Sequence, residues 1–153
     1  MQSIDGISLV IPNYNGEQLL PQILPPAIHA LSATGIPYEI IVADDASTDQ
    51  SIVMLNRDFP QVQIKPLHTN GGFSKTANIG IRAARYSWVL LMNSDVKLTP
   101  TYFQFLLPYC QQTGLFSVSG RIVGWDDDQI QDGGKYPVFQ GAKIKTSYDF
   151  VPE

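Results

Sequence analysis

The sequence predicts an α/β fold, a three-layer α/β/α sandwich around a mainly parallel sheet. Short apolar runs alternate along the chain with stretches of helical periodicity, which is the order that successive βαβ units produce. The apolar runs are continuous, as is typical of strands covered by helices on both faces. A length of 153 residues with an apolar share of 44% suits one such domain, so we expect residues 1–153 to form a single domain.

Five apolar runs are predicted to form the strands. The first should end at Pro12, and Pro66 indicates an edge position for the third, because proline cannot donate a ladder hydrogen bond. The fourth run is continuously apolar from Trp88 to Met92, so we expect a buried strand there. The predicted strands cover residues 7–11, 38–43, 62–67, 87–92 and 115–119.

Four helices are predicted between these strands. The first contains Pro21, Pro25 and Pro26, so we expect a kink or two short pieces. The second should start at Ser47, which forms a capping-box pattern with Gln50 three residues later. The predicted helices cover about 17–33, from 47 onwards, about 73–85 and from 99 onwards.

The third and fourth helices each carry one apolar face. The fourth has Thr99 as its cap and Pro100 at the first helical position. After Gly120 the pattern changes to turn signals with short runs between them, which predicts loops with a hairpin. The predicted inner faces are Phe73, Ala77, Gly80, Ile81 and Ala84 in the third helix, and Phe103, Leu106, Leu107 and Cys110 in the fourth.

Composition and charge exclude several kinds of partner. The formal net charge is −4, whereas a nucleic-acid surface needs clustered basic residues, so we expect no nucleic-acid partner. Cys110 is the only cysteine, so an internal disulfide is excluded. We therefore expect a cytoplasmic location, with any membrane association arising through the pathway. No apolar run approaches the length of a membrane span, and we expect no signal sequence before Gly6.

Polar segments follow the first four predicted strands. Ligands of an open α/β sheet bind beyond the carboxyl ends of its strands, so these segments should converge on one site. Each of them alone has an ordinary interpretation as a turn or a helix cap, and only their joint position favours a site. The segments are Pro12-Asn13-Tyr14-Asn15-Gly16, Asp44-Asp45-Ala46-Ser47, Asn70-Gly71-Gly72-Phe73 and Asn93-Ser94-Asp95.

These side chains suit a nucleotide diphosphate. A tyrosine can stack on a base, and a carboxylate can accept a hydrogen bond from a base or a ribose. Backbone amides of a glycine-rich turn at a helix N-terminus can bind phosphate, and Lys75 in the first turn is a further candidate. A carboxylate at a strand end can hold a divalent cation that bridges the two phosphates.

The four segments resemble the motifs of the family 2 glycosyltransferases, which are inverting enzymes of the GT-A fold. The blocks occur in the family's order over about residues 7–121, and Asn93-Ser94-Asp95 falls where the family has its DxD motif. The third and fourth blocks look most like the rhamnosyltransferase-like branch. The first three blocks are Val10-Ile11-Pro12-Asn13-Tyr14-Asn15, the stretch 41–49, and Asn70-Gly71-Gly72-Phe73 with Asn78-Ile79-Gly80.

The resemblance implies a donor site for a UDP-, dTDP- or GDP-sugar. Pro12 and Tyr14 would line the base pocket, and Asp44 would contact the base with Asp45 nearby. Asp95 would coordinate Mg²⁺ or Mn²⁺ on the diphosphate. The other residues expected to contact the donor are Asn15, Gly72, Phe73, Lys75, Asn93 and Ser94.

Two departures from the family's pattern stand out. Asn93 replaces the first carboxylate of the DxD motif, so an amide that can bind ribose or sugar stands in place of a metal ligand. No segment before Glu153 matches the acceptor-side half with its catalytic carboxylate, so we expect that half to be absent and leave the catalytic base unknown. We expect a solvated loop at Asp126, Asp127 and Asp128, and Asp132 and Asp149 also lie outside the family's context.

The resemblance implies transfer of a sugar to a hydroxyl of a glycan or lipid-linked acceptor with inversion, in cell-surface polysaccharide or glycan synthesis. The alternative is a nucleotide-sugar-binding module or truncated fragment without transferase activity of its own. A nucleotidyltransferase is disfavoured because the segment from Pro12 to Gly16 contains no Lys or Arg. A dinucleotide oxidoreductase is disfavoured because no GxGxxG follows the first strand.

Overall fold

The computed structural model describes residues 4–125, 130–132, 136–140 and 143–147. The chain forms two compact units, Met1–Gly114 and Leu115–Glu153. The larger unit contains a parallel sheet and its helices, and the described part of the smaller unit contains short antiparallel strands. The single domain over residues 1–153 stays a prediction.

Four strands of the larger unit form a wholly parallel sheet in the order β3-β2-β1-β4. The two central strands pair along their whole length, from Ile7 opposite Tyr38 to Asn13 opposite Asp44. Pro66 lies in the edge strand β3, as predicted. The elements are β1 (Ile7–Asn13), α1 (Leu20–Ser32), β2 (Tyr38–Asp44), α2 (Ser51–Asp58), β3 (Gln63–Pro66), α3 (Phe73–Ala83), β4 (Trp88–Leu91) and α4 (Tyr102–Cys110).

Helices cover the sheet on both faces, which confirms the predicted three-layer α/β fold. On one face Leu9 and Val42 join a buried apolar cluster with residues of α1, α2 and α4. On the other face α3 packs against Val10 and Ala43. A Cβ at Gly80 would lie 2.4 Å from Val10 Cγ1, so the glycine allows α3 to lie close to the sheet.

β1 continues beyond its predicted end, through Pro12 to Asn13. The Met92 N–H donates to the Val10 carbonyl, so the backbone groups of Val10 point towards β4. Backbone groups of alternate residues in a strand point to the same side, so the nitrogen of Pro12 also points towards β4. The last pair between β1 and β4 involves Val10, so Pro12 interrupts no ladder hydrogen bond. The extension carries Asn13 to the carboxyl edge of the sheet.

The first helix is one continuous element rather than two pieces, and it begins at Leu20. Pro21 lies in the first turn, where backbone N–H groups have no intrahelical acceptor. Pro25 and Pro26 lie inside the helix, and buried residues lie on both sides of them. Packing of this apolar face therefore holds the helix together across the lost hydrogen bonds.

The predicted capping box at Ser47 and Gln50 is wrong. α2 begins at Ser51, and the Ser47 hydroxyl donates instead to Asp44 Oδ1 at 2.6 Å. Asp49 Oδ1 accepts a hydrogen bond from the Ser51 N–H at 3.0 Å, whereas the N-cap residue, Gln50, makes no side-chain hydrogen bond to the helix. Ser47 is thus engaged with the end of β2 rather than with the helix.

The buried face of α3 differs from the prediction. Ala77 and Gly80 are buried as expected, together with Thr76, whereas Phe73 and Ile81 are exposed.

α4 begins at Tyr102, later than the predicted cap at Thr99. None of the helices in the described ranges has the length and apolar character needed to cross a membrane. Of the predicted inner face of α4, Phe103 and Cys110 are buried, and Leu106 and Leu107 are half-buried.

Two strand predictions fail. Within the described residues β4 has a partner strand on one side only, so its side chains have fewer neighbours and are half-buried or exposed rather than buried. Residues 115–119 form no strand, and Phe116 is 98% exposed. The described part of the smaller unit contains the predicted hairpin, and its two antiparallel pairs are β5 (Ile122–Val123) with β6 (Ile130–Asp132), and β7 (Tyr136–Gln140) with β8 (Lys143–Ser147).

Candidate functional site

A cleft of about 370 Å³ opens at the carboxyl ends of the strands. Its walls are the end of β1, the first turn of α3 with the residues before it, and the turn after β4. A volume of this size is within the range of small-ligand sites. The lining residues are Pro12, Asn13, Tyr14, Asp45, Asn70, Gly72, Phe73, Thr76, Asn93, Ser94 and Asp95.

Asp44, the last residue of β2, lies behind the cleft rather than on its surface. It is fully buried, and it shares the α1 face of the sheet with Val42 because alternate residues of a strand point the same way. Asp44 Oδ1 accepts from Asn13 Nδ2 at 2.8 Å, and Oδ2 accepts from the Ser47 N–H at 2.9 Å. The expectation that Asp44 contacts a base does not fit this position, because Asp44 has no exposed surface and is not among the residues that line the cleft.

Asn15 also acts between loops rather than on the cleft. Its N–H donates to the Ser47 hydroxyl at 2.8 Å, and its Oδ1 accepts from the Thr48 N–H at 2.8 Å. Asn15 has a φ of 54°, and Ala46 in the facing loop has a φ of 58°, a conformation that alanine disfavours. The hydrogen bonds across the two loops hold this backbone, so the rim formed by β1 and β2 is fixed without a ligand.

Asn13 is a lining residue to which the sequence analysis assigned no role. Its side chain is buried, and its Nδ2 donates to Asp44. Its Oδ1 has no hydrogen-bond partner in the described part of the chain, and a Cβ at Gly16 would lie 2.0 Å from that oxygen. Asn13 therefore keeps its position only if residue 16 is glycine.

Asp45 lies on the opposite face from Asp44 and lines the cleft. Its Oδ1 accepts from the Gly71 N–H at 2.7 Å, and its Oδ2 accepts from the Gly72 N–H at 2.8 Å. Both amides of the glycine turn are thus bound to a carboxylate, whereas the sequence predicted that such amides would bind phosphate. Gly72 is the N-cap of α3 with a φ of 78°, so Asp45 fixes the start of that helix.

The surroundings of Asp45 stabilise its ionised form. Burial raises the pKa of Asp45, but hydrogen bonds from the Gly71 N–H, the Thr76 side chain and the Gly72 N–H, with the charge of Lys75, outweigh it and lower the pKa below its ordinary value. Asp45 is therefore ionised at neutral pH. An ionised carboxylate can only accept, so it can bind an N–H or O–H group of a ligand in the cleft.

Lys75 is exposed and does not line the cleft. Its side chain packs over Gly71, where a Cβ would lie 2.5 Å from Lys75 Cδ, and its charge contributes to the low pKa of Asp45. A contact between Lys75 and a ligand phosphate stays a prediction.

Two aromatic side chains line the cleft and face solvent. Tyr14 follows β1 and is 54% exposed, and Phe73 is the first residue of α3 and is 56% exposed. Exposed aromatic rings in a cleft offer flat apolar surfaces to a ligand.

The turn after β4 forms the remaining side of the cleft. The Met92 N–H donates to the Val10 carbonyl at 2.9 Å and so anchors the start of this turn on β1. Asn93 and Asp95 are exposed, and Ser94 is half-buried. Their side chains supply oxygen atoms, the ligand type that Mg²⁺ and Mn²⁺ prefer.

The described ranges hold no group of three or more His, Cys, Asp or Glu side chains that could bind a metal ion. The cleft is lined by two carboxylates, Asp45 and Asp95, and Asp45 already binds two amides. Asp95 is exposed at the turn after β4, where its carboxylate can be reached by a cation whose other ligands come from a diphosphate and water, which is the usual arrangement for Mg²⁺.

Most of the predicted site residues lie together on the cleft, and Asn15, Asp44 and Lys75 lie outside its lining. Asn13, Asn70 and Thr76 line it without a predicted role. Asn13 and Asn70 were within the predicted strand-end segments, so their position was a usable signal. Of the acidic residues after Gly120, Asp132 ends β6, whereas Asp126, Asp127, Asp128 and Asp149 lie outside the described residues.

Comparisons with known proteins agree with this geometry. The family model Glycosyl transferase family 2 matches residues 8–150. Chondroitin synthase from Escherichia coli is 36% identical over 154 residues, which cover 98% of this chain and 21% of that protein. Poly(ribitol-phosphate) beta-N-acetylglucosaminyltransferase TarS from Staphylococcus aureus is 31% identical over 58% of this chain and 16% of its own length. The chain thus spans about a fifth of the length of these curated relatives.

Solved structures show the same fold. The crystal structure of S. aureus TarS 1-349 in complex with UDP-GlcNAc has a TM-score of 0.57 at 26% identity, over 67% of this chain and 30% of that chain. Mannosyltransferase PcManGT from Pyrobaculum calidifontis, in complex with GDP-Man and Mn²⁺, has a TM-score of 0.62 at 17% identity, over 73% of this chain and 34% of that one. These neighbours are GT-A glycosyltransferases, so the predicted fold class is confirmed.

Proposed function

Because this chain belongs to Glycosyl transferase family 2, we propose that its cleft binds a nucleotide-diphosphate sugar as the donor for sugar transfer. The observation that supports this most is that Tyr14, Asp45 and Asp95 line one cleft. They supply an aromatic surface, an ionised hydrogen-bond acceptor and a cation ligand. A base, its N–H groups and a metal-bound diphosphate need these three groups.

The base lies at the end of the cleft formed by β1 and β2. Tyr14 stacks on the base, and Pro12 lines the same part of the cleft. Asp45 accepts a hydrogen bond from the base or the ribose. Asp44 acts indirectly in this proposal, because it holds Asn13 and does not reach the ligand. UDP-, dTDP- and GDP-sugars all fit these requirements.

The diphosphate lies beside the turn after β4. Asp95 is the protein ligand for Mg²⁺ or Mn²⁺, and Asn93 and Ser94 bind ribose or sugar hydroxyls. A bound cation supplies charge neutralisation for the departing diphosphate. The structure in complex with GDP-Man and Mn²⁺ supports this assignment only at the level of the shared fold.

The reaction that follows is a single displacement with inversion. An acceptor hydroxyl forms a bond to the anomeric carbon as the bond to the diphosphate breaks, and the hydroxyl proton passes to a general base that we leave unassigned. Relatives named chondroitin synthase and Undecaprenyl-phosphate 4-deoxy-4-formamido-L-arabinose transferase support a glycan or a lipid-linked acceptor. The rhamnosyltransferase-like branch and a cytoplasmic location stay proposals.

Calorimetric titration of the chain with UDP, GDP and dTDP in the presence of Mn²⁺ tests donor binding. We expect one of them to bind, and a chelator to weaken that binding. Phe105→Ala is a matched control, since Phe105 is 72% exposed on α4 and does not line the cleft. A folded wild-type chain that binds none of the three nucleotides would refute the proposal.

A second candidate is a donor-binding module without turnover of its own. The two carboxylates that line the cleft among the described residues favour this candidate. Asp45 holds two amides, and Asp95 lies at the proposed cation position, so neither is assigned as a general base. Assays of donor hydrolysis and of transfer to glycan acceptors separate the candidates. Turnover by this chain above the rate of its Asp95→Ala variant excludes the module.

A further inference from the structure

Phe73 has a position that the packing of its helix does not explain. The buried face of α3 consists of Thr76, Ala77 and Gly80, and the Phe73 ring lies outside it with 56% of its surface exposed. The ring lines the cleft instead. An exposed phenyl group by itself is common on proteins, so Phe73 is significant only together with the other groups of the cleft.

Tyr14 is the second exposed aromatic residue of the cleft, and it belongs to a different wall. Tyr14 follows the end of β1, whereas Phe73 begins α3. Tyr102 and Phe103 form the ring pair found in the described part of the chain, so the rings of Tyr14 and Phe73 are not stacked on each other. Both rings are therefore available to a ligand that enters between the two walls.

The backbone beneath each ring is fixed. Gly72 precedes Phe73, and its N–H is held by Asp45 Oδ2 at 2.8 Å. Tyr14 stands between Asn13, which donates to Asp44, and Asn15, which is hydrogen-bonded to the β2–α2 loop. Two rings on fixed backbones form a preorganised site, which lowers the entropy lost on binding.

Strand order shows which part of the donor meets Phe73. β1 lies between β2 and β4, so Asp45 after β2 and Asp95 after β4 stand on opposite sides of Tyr14. Phe73 is tied to the β2 side through Gly72 and Asp45. If Asp95 marks the diphosphate end, as in the proposed function, Phe73 lies at the base end.

We propose that Phe73 and Tyr14 form an aromatic clamp that holds the nucleobase of the donor between their rings. The clamp rests on the proposed donor binding and adds a residue that selects for a planar, aromatic base. Stacking of a base on an aromatic side chain changes affinity by about 1–3 kcal/mol on alanine substitution, which corresponds to about 5- to 150-fold in Kd.

The test compares Phe73→Ala, Phe73→Leu and Phe73→Tyr with wild type and with the control Phe105→Ala. Each protein is titrated with whichever of UDP, GDP and dTDP wild type binds most tightly, with Mn²⁺ present. The alanine and leucine variants should raise Kd by about 5- to 150-fold, the tyrosine variant should stay within about twofold, and the control should match wild type. Melting temperatures should stay close to wild type, because Phe73 is not part of the buried core.

A double-mutant cycle with Tyr14→Ala tests whether both rings contact the same base. In a clamp the double variant departs by more than about twofold in Kd from the product of the two single effects. The clamp would be overturned, with donor binding left intact, if the change in Kd of the double variant equalled the product of the two single changes. Wild-type affinity in Phe73→Ala or in Phe73→Leu would also overturn it. Failure of wild type to bind any of the nucleotides would remove the proposed function itself, so the two failures are distinguishable.

Discussion

The two sides of the cleft are built differently. On the β1–β2 side, Asp44 and Asp45 use both of their carboxylate oxygens to hold neighbouring loops. On the β4 side, Asn93 and Asp95 are exposed on a turn that follows a strand of four residues. The carboxylates of the first side hold the protein's own loops, whereas the exposed side chains of the second side can be reached by a cation and a diphosphate.

Asp44→Ala should give the largest effect, because it removes the buried acceptor of Asn13 Nδ2 and of both Ser47 donors. We expect the free energy of unfolding to fall by about 3–4 kcal/mol, measured by urea unfolding at neutral pH. Asp95→Ala is the matched control, since it removes an exposed carboxylate from the other side of the cleft. Equal losses in the two variants would contradict the comparison.

Asp45→Asn should be the next most damaging change to stability. One of the two amides of the glycine turn would then face an NH₂ group instead of a carboxylate oxygen, which lowers the free energy of unfolding by about 1.5–3 kcal/mol. Hydrogen exchange of the Gly71 and Gly72 amides measures the local effect, and we expect both to exchange faster. Wild-type exchange rates in this variant would show that Asp45 does not hold the turn.

Asp95→Ala should affect ligand binding more than stability, because Asp95 is exposed and lines the cleft. With Mn²⁺ present, we expect the nucleotide Kd to rise at least about tenfold, because the cation loses its protein carboxylate. With a chelator present, the variant and wild type should bind the nucleotide with similar affinity. Calorimetry under the two conditions makes the comparison, and a mutational effect that survives metal removal would argue against a cation role for Asp95.

The smallest effect should appear in the pH dependence of stability. The pKa of Asp45 is lowered in the folded chain, so its contribution is complete above the unfolded value of about 3.9 and is lost as the pH falls through the folded pKa. The stability difference between wild type and Asp45→Asn should therefore be constant near neutral pH and shrink below about pH 4. Glu39 and Asp49 also have lowered pKa values, but they are present in both proteins and cancel in the difference. Urea unfolding at a series of pH values measures the stability difference between wild type and Asp45→Asn. A difference that grows as the pH falls below about 4 would contradict a lowered pKa of Asp45.

The sheet and the edge that carries the cleft were predictable from sequence. Continuous apolar runs mark strands that are covered on both faces, and the carboxyl ends of parallel strands meet at one edge. Ends of elements were less predictable. β1 can continue through Pro12 because its pairing with β4 ends at Val10. Ser47 caps no helix because its hydroxyl donates to Asp44. Both outcomes depend on contacts between segments that are distant along the chain.

Within the site, the sequence could not distinguish the roles of neighbouring residues. Asp44 and Asp45 are chemically alike, and a shift of one residue in register would exchange the faces they occupy. Phe73 fits the apolar spacing of α3, yet it is exposed and lines the cleft, whereas Ala77 and Gly80 of the same predicted face are buried. Thr76 reads as an ordinary helix residue, and its place on the cleft comes from the tight packing of α3 against β1.

The adjacent carboxylates Asp44 and Asp45 have a consequence for how this chain can be altered. Because they lie on opposite faces of the sheet, inserting or deleting one residue in β2 would turn Asp44 towards the cleft and turn Asp45 towards the apolar side chains of the α1 face. Substitutions at constant length keep Asp44 and Asp45 on their respective faces of the sheet, whereas a change in the length of β2 does not. Libraries intended to alter donor preference should therefore vary side chains on the cleft and leave the number of residues between Tyr38 and Asp45 untouched.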